Sequence, residues 1–445
     1  MTSVALVVLD TLRKDYFDEY FEWLPGTTYD HAWSTSHWTV PAHASLFSGH
    51  HPSEIGVYGS SPVFDYGGKS VVEQLSAAGY RTRGYSCNPY ITETFGFNRG
   101  FDDLKRNWSS KRLDDDLFDW GDFESDHRFE GPLRFPEAVA RVVLSDAKTI
   151  PSLKHGLSRK MFHDNIGPFT GDKGASRVYQ TVKETNFNDR EFYFINLMEA
   201  HGPYNPPEEY RTCTVSNSGL SFADLVSHES IEPEVTRQGY DDSVRYLSDI
   251  YREIFEELAG AFDVVFTVGD HGEMLGERGH WGHNFGVFAP LTRVPFNVYA
   301  ESFDSISADR TVSLLDVHRT ILDIAGANPG ESRGKNLFED TGHTDHYLTE
   351  YHGITHDQTL KKLREHDVSE QTIREYDSPL RGIATPEDYY GFETVDGFEK
   401  SGTSTEDDPR ELLASLKQDL PIRDLDDSVE YSDEMKSRLE QLGYL

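Results

Sequence analysis

Cysteine is scarce in this chain: its 445 residues hold two, Cys87 and Cys213. That excludes a disulfide framework and a cysteine-rich zinc site. Long apolar runs are missing as well. No stretch reaches the roughly 18 residues that a membrane-spanning helix needs. The N-terminus passes almost at once into Val4–Leu9 and then Asp10, too short an apolar run for a secretory leader. The expectation is a soluble, cytoplasmic protein with no transmembrane segment. Basic residues are few: 42 Lys and Arg stand against 77 Asp and Glu, a formal net charge of -35. Nucleic acid and anionic membranes are poor partners for such a surface. An anionic ligand must then be met by a local cation. The acid runs through almost every segment instead of gathering in a tail. This is the pattern of a protein adapted to high salt, where dense carboxylates keep a folded chain hydrated.

Aromatics, by contrast, make up 13% of the chain, enough for a sizeable core. The length suits one large α/β domain with a smaller one beside it. Val4–Leu9, Glu191–Leu197 and Ala261–Val268 are short apolar runs and read as buried parallel strands. Arg81–Ser86 and Val294–Ala300 read as further strands. Between them lie helical patterns at Lys69–Ala78, Ala175–Thr185, Tyr240–Leu258 and Thr311–Ala325. The third carries Val244, Leu247, Tyr251, Ile254 and Leu258 at the 3.6-residue period. The alternation predicts an α/β fold: a mostly parallel sheet sandwiched by helices.

Residues 1–340 read as the main domain, with an irregular insertion at 105–175. That insertion mixes an acidic patch (Asp114 to Asp116), a basic patch near Lys154–Lys160 and a helix around Pro136–Leu144. Beyond residue 340, strand-like pieces at Tyr347–Tyr351, Gly382–Thr385 and Tyr389–Glu393 are separated by acidic loops. With a closing helix at Asp433–Leu442 and an exposed loop at Gly402–Pro409, residues 341–445 read as a small C-terminal α+β subdomain.

Five polar residues sit at or just after strand ends: Asp10, Thr39, His201, Asp270 and His271. In a parallel sheet those ends share one edge, where ligands bind. Thr39 reads as the N-cap of a short helix, with Pro41 just inside and Gly49 to end it. Taken singly, each has an ordinary explanation as a cap or a turn residue. Together, two carboxylates, an imidazole and a hydroxyl suit one divalent cation. Mn²⁺ or Mg²⁺ is favoured by the oxygens, and Zn²⁺ or Ca²⁺ stays open. Such an ion would lower the pKa of the Thr39 hydroxyl, while the helix N-terminus would stabilise an anionic centre beside it.

The chain resembles the sulfatase group of the alkaline phosphatase superfamily. The matching pieces are Val7 to Arg13; Thr39-Val40-Pro41-Ala42-His43 with Leu46 and Gly49; Glu199 to Tyr204; and Gly269-Asp270-His271-Gly272-Glu273 with Gly276-Glu277. Gly79 to Thr82, Arg99 to Asp102, Asp316 and Leu442 to Tyr444 resemble the family too. The resemblance implies that Asp10, Asp270 and His271 are metal ligands and that Thr39 is both nucleophile and ligand. It implies a catalytic or substrate-contacting role for His201 and for His283, which stands where the family has a lysine. Arg13 is expected to pair with carboxylates near the site. Family sulfatases oxidise a Cys or Ser, in a Cys/Ser-x-Pro-x-Arg motif, to formylglycine. Here those slots hold Thr39 and His43, and a threonine cannot become that aldehyde. His43 either touches substrate or covers the helix face. Thr11 replaces the usual second acid. Threonine resembles the phosphoryl-transferring branches, among them phosphodiesterases and lipoteichoic-acid-synthase-like phosphoglycerol transferases, in which the hydroxyl itself forms the covalent intermediate. The implied function is cleavage of a phosphate mono- or diester of a small, sugar-linked or lipid-linked substrate. One alternative is sulfate-ester hydrolysis with Thr39 as direct nucleophile. The other is a non-catalytic binder of an anionic glycan or lipid head group.

Overall fold

The structure, a computed structural model, describes residues 2–59, 61–106, 171–215, 231–300, 308–339, 346–354, 368–386, 388–402 and 408–418, with a few isolated positions besides. Met1–Asn107 and Gly171–Leu445 form one compact unit, and Trp108–Thr170 form a second. Of the helix expected at Pro136–Leu144, Val139, Arg141 and Val142 are described and are helical; its other residues, the helix expected at Asp433–Leu442, both charged patches, most of the Gly402–Pro409 loop and the Leu442 to Tyr444 match lie outside the described residues.

Seven strands make the central sheet: β1 (Val4–Leu9), β2 (Thr27–Thr28), β3 (Arg81–Ser86), β4 (Asp103–Arg106), β5 (Glu191–Leu197), β6 (Val264–Val268) and β7 (Phe296–Ala300). Their order across the sheet is β2-β7-β6-β1-β5-β3-β4. The five from β6 to β4 run parallel. Strand β7 runs antiparallel to β6 and β2, so the sheet is mixed with a parallel majority. The register aligns Val8 of β1 with Asn196 of β5 and Val268 of β6, and Ser86 of β3 with the same Asn196. The carboxyl ends of four strands therefore finish level.

Alternation along β1 divides the core in two. Ala5, Val7 and Leu9 pack with Val178, Tyr240, Leu247 and Tyr251 on one face. Val4, Leu6 and Val8 pack with Val40, Phe47, Leu75 and Ile321 on the other. Side chains of a strand point alternately to opposite faces, so a run buried on both must be apolar throughout. Each fully buried Val, Leu or Phe contributes about 1.5–3 kcal/mol of hydrophobic stabilisation.

Helix boundaries follow their caps. Ser70 accepts from the Glu73 N–H and starts the helix Val71–Ala77, and Ser313 starts Leu314–Ile324. The helix expected from Tyr240 begins instead at Pro233 and runs to Ala259. Proline is favoured in a first turn. The turns that follow carry no apolar stripe, which is why periodicity missed them. Among the described residues, no helix is long and apolar enough to cross a membrane.

A four-stranded antiparallel sheet follows: β8 (Tyr347–Tyr351), β9 (Leu380–Thr385), β10 (Tyr389–Thr394) and β11 (Gly397–Ser401). Strand β8 is tied to the segment that leads into the Thr39 helix. The Glu350 N–H donates to the Thr35 carbonyl (2.9 Å). The Thr349 and Ser36 hydroxyls donate to the carbonyls of Ser34 (2.7 Å) and Glu350 (3.1 Å).

Candidate active site

The level strand ends carry the chemistry. Asp10 follows β1, and its N–H donates to the Leu197 carbonyl of β5 (2.9 Å). Asp270 and His271 follow β6. Gly272 after them must be glycine, because a Cβ there would lie 2.0 Å from the Pro290 carbonyl oxygen. Asn88 follows β3, and the His201 segment follows β5. Thr39 comes from the other side, on the helix Thr39–Ser48. Trp38 is the N-cap, with extended backbone, and Thr39 is the first helical residue. This corrects the expectation that Thr39 caps the helix. Its hydroxyl is turned to the strand ends instead. Gly49 ends the helix as expected, at φ +74°.

Asp10, Asp270 and His271 are fully buried, and one ligand atom from each lies within 4.8 Å of the other two. The Thr39 hydroxyl joins them, 3.3 Å from His271 Nε2 and 3.5 Å from Asp10 Oδ2. His271 Nδ1 lies 2.9 Å from the Gly272 carbonyl and donates to it, which leaves the Nε2 lone pair toward the cluster. Burial, with His283 adding to it, pushes the His271 imidazole well below its usual range, so it is the neutral, ligating form. Burial and the neighbouring Asp10 carboxylate push Asp270 well above the usual carboxylate range. Asp270 Oδ2 is buried without a hydrogen-bond partner. Two buried acids side by side, one with an orphaned oxygen, lack a compensating positive charge. A divalent cation fits this donor set of two carboxylates, one imidazole nitrogen and one hydroxyl.

Three further imidazoles surround the cluster. His43 Nδ1 donates to the Thr39 carbonyl (2.9 Å), and His43 Nε2 accepts from Asn196 Nδ2 (3.3 Å). Both ring nitrogens are thus engaged within the protein, beneath the helix start, and burial holds the ring neutral with its pKa at about 4. His201 Nδ1 donates to the Gly202 carbonyl (2.7 Å). His283 stands between the others, its ring centroid 5.0 Å from that of His201 and 4.6 Å from that of His271. Burial pushes His283 down, but Glu273, 3.1 Å from its Nδ1, outweighs burial and leaves its pKa above the usual histidine value. His201 is pushed down, chiefly by burial. His280, from the same loop as His283, packs instead against Phe285 and Phe288.

Arg13 donates to Asp15 (2.7 Å), Glu277 (2.6 Å) and the Glu273 carbonyl (3.1 Å), fastening the loop that bears Glu273. Sequence reasoning missed three members. Asn88 Nδ2 donates to Asp10 Oδ2 (2.7 Å) and lies 3.5 Å from the Thr39 hydroxyl. It carries the signal that identified the others, a polar residue just past a strand end, but the proline after it reads as a turn. Asn196, inside β5, reads as core. Lys173 is buried, and its ammonium donates to the carbonyls of Glu199 (3.2 Å) and His201. It sits at the edge of the irregular segment, where no pattern marks it.

A family comparison matches residues 19–327 to Sulfatase. No curated protein matches the chain. Among solved structures, the phosphonate monoester hydrolase of Agrobacterium radiobacter is similar with a TM-score of 0.59 and 15% identity, over 100% of this chain and 94% of that one. The phosphonate monoester hydrolase of Silicibacter pomeroyi gives 0.61 and 15%, over 94% of each chain. A 2-O GAG sulfatase gives 0.57 and 13%, over 94% of this chain and 90% of that one. Identities this low speak to the fold alone, and it is the family match over residues 19–327, which takes in Thr39, Asp270 and His271, that carries the assignment. By that match the chain belongs to the sulfatase family.

Proposed function

We propose that the chain is a metal-dependent enzyme that cleaves a phosphate mono- or diester through Thr39. The observation that carries this is the Thr39 hydroxyl, 3.3 Å from His271 Nε2 and 3.5 Å from Asp10 Oδ2 at the start of a helix. A threonine in this position cannot become an aldehyde, so its own oxygen must attack. Asp10, Asp270, His271 and Thr39 would hold one divalent cation, with Mn²⁺ or Mg²⁺ favoured and Zn²⁺ or Ca²⁺ open. When bound, that ion makes the hydroxyl a stronger nucleophile and neutralises charge on the attacked group.

This chain's residues do the rest. The Thr39 hydroxyl gives up its proton to solvent as its oxygen bonds to phosphorus, and the bond from phosphorus to the leaving oxygen breaks. His283, whose pKa Glu273 raises, or His201 next to it, gives the leaving oxygen a proton. Asn88 Nδ2 and the free N–H groups of the first helical turn are placed to donate to the equatorial oxygens. Water, or an acceptor alcohol, then attacks phosphorus and releases the Thr39 hydroxyl. His43 braces the helix start from below. The substrate is a small anionic ester, sugar-linked or lipid-linked, and not nucleic acid.

The test is turnover of matched aryl phosphate, phosphodiester, phosphonate and sulfate esters, with Mn²⁺ and after chelation, by wild type and Thr39→Ala. Metal-dependent phosphate-ester cleavage, lost in Thr39→Ala, is expected. Sulfate release would mean a sulfatase that works without formylglycine. Binding without turnover, unchanged in Thr39→Ala, would mean a non-catalytic binder.

A further inference from the structure

Thr11 is fully buried at φ +63°. A β-branched side chain seldom adopts the left-handed region, and the strain costs on the order of 1–3 kcal/mol. Glycine would take the same backbone without strain. Three hydrogen bonds hold the threonine there. Its N–H donates to Asp270 Oδ1 (3.2 Å), and its hydroxyl donates to Asp10 Oδ1 (2.7 Å). Its carbonyl accepts from the Tyr240 hydroxyl (2.8 Å). One residue thus takes one oxygen from each of the two acids. The oxygens it leaves are Asp10 Oδ2, 3.5 Å from the Thr39 hydroxyl, and Asp270 Oδ2, 3.6 Å from His271 Nε2. Both face other members of the cluster; Asp10 Oδ2 accepts from Asn88 Nδ2 as well (2.7 Å), and Asp10 Oδ1 lies farther from His271 Nε2, at 3.9 Å.

We propose that Thr11 is a positioning residue for a divalent cation: by binding one oxygen of Asp10 and one of Asp270, it aims the remaining oxygen of each at the ion. The inference rests on the metal-dependent reading above. It accounts for the strain, because only a residue with both the backbone N–H and a side-chain hydroxyl at this turn spans the two carboxylates. It also accounts for a neutral residue where relatives carry an acid, since a third carboxylate here would have no donor role toward the other two.

The experiment is calorimetric titration of the chelator-stripped, full-length chain with Mn²⁺ alone and with Zn²⁺ alone. The variants are Thr11→Ser, Thr11→Val and Thr11→Gly, and each metal-free melting temperature is recorded beside the affinities. Thr11→Ser keeps the hydroxyl and should keep the wild-type affinity. Thr11→Val and Thr11→Gly should bind about 10–100-fold more weakly, as loss of such a supporting partner does elsewhere. Thr11→Gly, relieved of strain, should melt no lower than wild type without metal. A gain in stability with a loss in affinity is something a purely structural residue would not give. Should Thr11→Val fail to fold, Thr11→Gly decides alone. Wild-type affinity in Thr11→Gly, or a loss in Thr11→Ser equal to that in Thr11→Gly, overturns the inference. A wild-type chain that binds neither ion overturns the metal reading itself and this inference with it.

Discussion

Replacing Lys173 with methionine separates two consequences of one buried charge. The ammonium donates to the carbonyls of Glu199 and His201, both in the segment that carries His201. Burial pushes its pKa down from 10.5 to about 8, although Glu199, Asp10 and Glu273 pull the other way. Holding the charged form in place therefore costs about 3 kcal/mol relative to water. Methionine fills the same space without that cost, but leaves two carbonyls short of a donor, at about 1–3 kcal/mol each. The two effects largely cancel, and Lys173→Met should fold with stability at pH 7 within about 2 kcal/mol of wild type. Its pH dependence should change more. Between pH 8 and 10.5 the unfolded chain binds a proton at this lysine that the folded chain does not, so wild-type stability rises with pH across that window. Lys173→Met should lose this rise. Turnover should fall as well, because the His201 segment has lost an anchor. The assay is urea unfolding at pH 7, 8.5 and 10, with phosphate-ester turnover at pH 7. An unchanged slope above pH 8 would falsify the reasoning about the charge, and unchanged turnover would refute the anchoring role.

Two further outcomes are expected. At Glu350, burial pushes the pKa up, but His352, His51 and the Ser53 N–H outweigh it and bring it from 4.5 to about 2. A carboxyl depressed in the folded state adds stability that is present above pH 4.5 and lost as pH falls toward 2, here about 3 kcal/mol. Glu350→Gln should be less stable than wild type at pH 6, with the gap closing by pH 2 to 3; a constant gap would show the charge to be unimportant. The net charge of -35 predicts that the melting temperature climbs with NaCl between about 0.1 and 1 M, as the screening length shrinks from about 10 to 3 Å. A flat profile would remove the salt-adaptation reading.

Much of the fold was legible because burial on both faces of a strand demands uninterrupted apolar residues. Val4–Leu9 carries that mark throughout and Glu191–Leu197 carries it over Phe192–Ile195, and both have the expected bounds. Direction carries no such mark: nothing in Phe296–Ala300 announces that it runs against β6. Asp10, Asp270 and His271 could be grouped because each follows an apolar run in a sheet whose ends align. The geometry around Thr39 was less accessible. Its hydroxyl could cap the helix or serve the cluster, and only the extended backbone of Trp38 shows which. The bridging role of Thr11 depends on a positive φ, which a sequence reveals for glycine but not for threonine. Lys173 was hidden because a charged residue beside an irregular stretch looks like surface until its burial is seen.

The pairing of β8 with Thr35 and Ser36 bears on how such a chain can change through time. A truncated chain ending near residue 340 would retain Asp10, Thr39, Asp270 and His271, yet strip a partner strand from the lead-in to Thr39. Exchange of the C-terminal sheet for another would therefore have to preserve that seam to keep the approach to Thr39 in place. The bond from the Glu350 N–H to the Thr35 carbonyl is a main-chain contact that asks for no particular side chain. The bonds from the Thr349 and Ser36 hydroxyls do ask for a hydroxyl, so drift along the seam is free at Glu350 and Thr35 and restricted at Thr349 and Ser36.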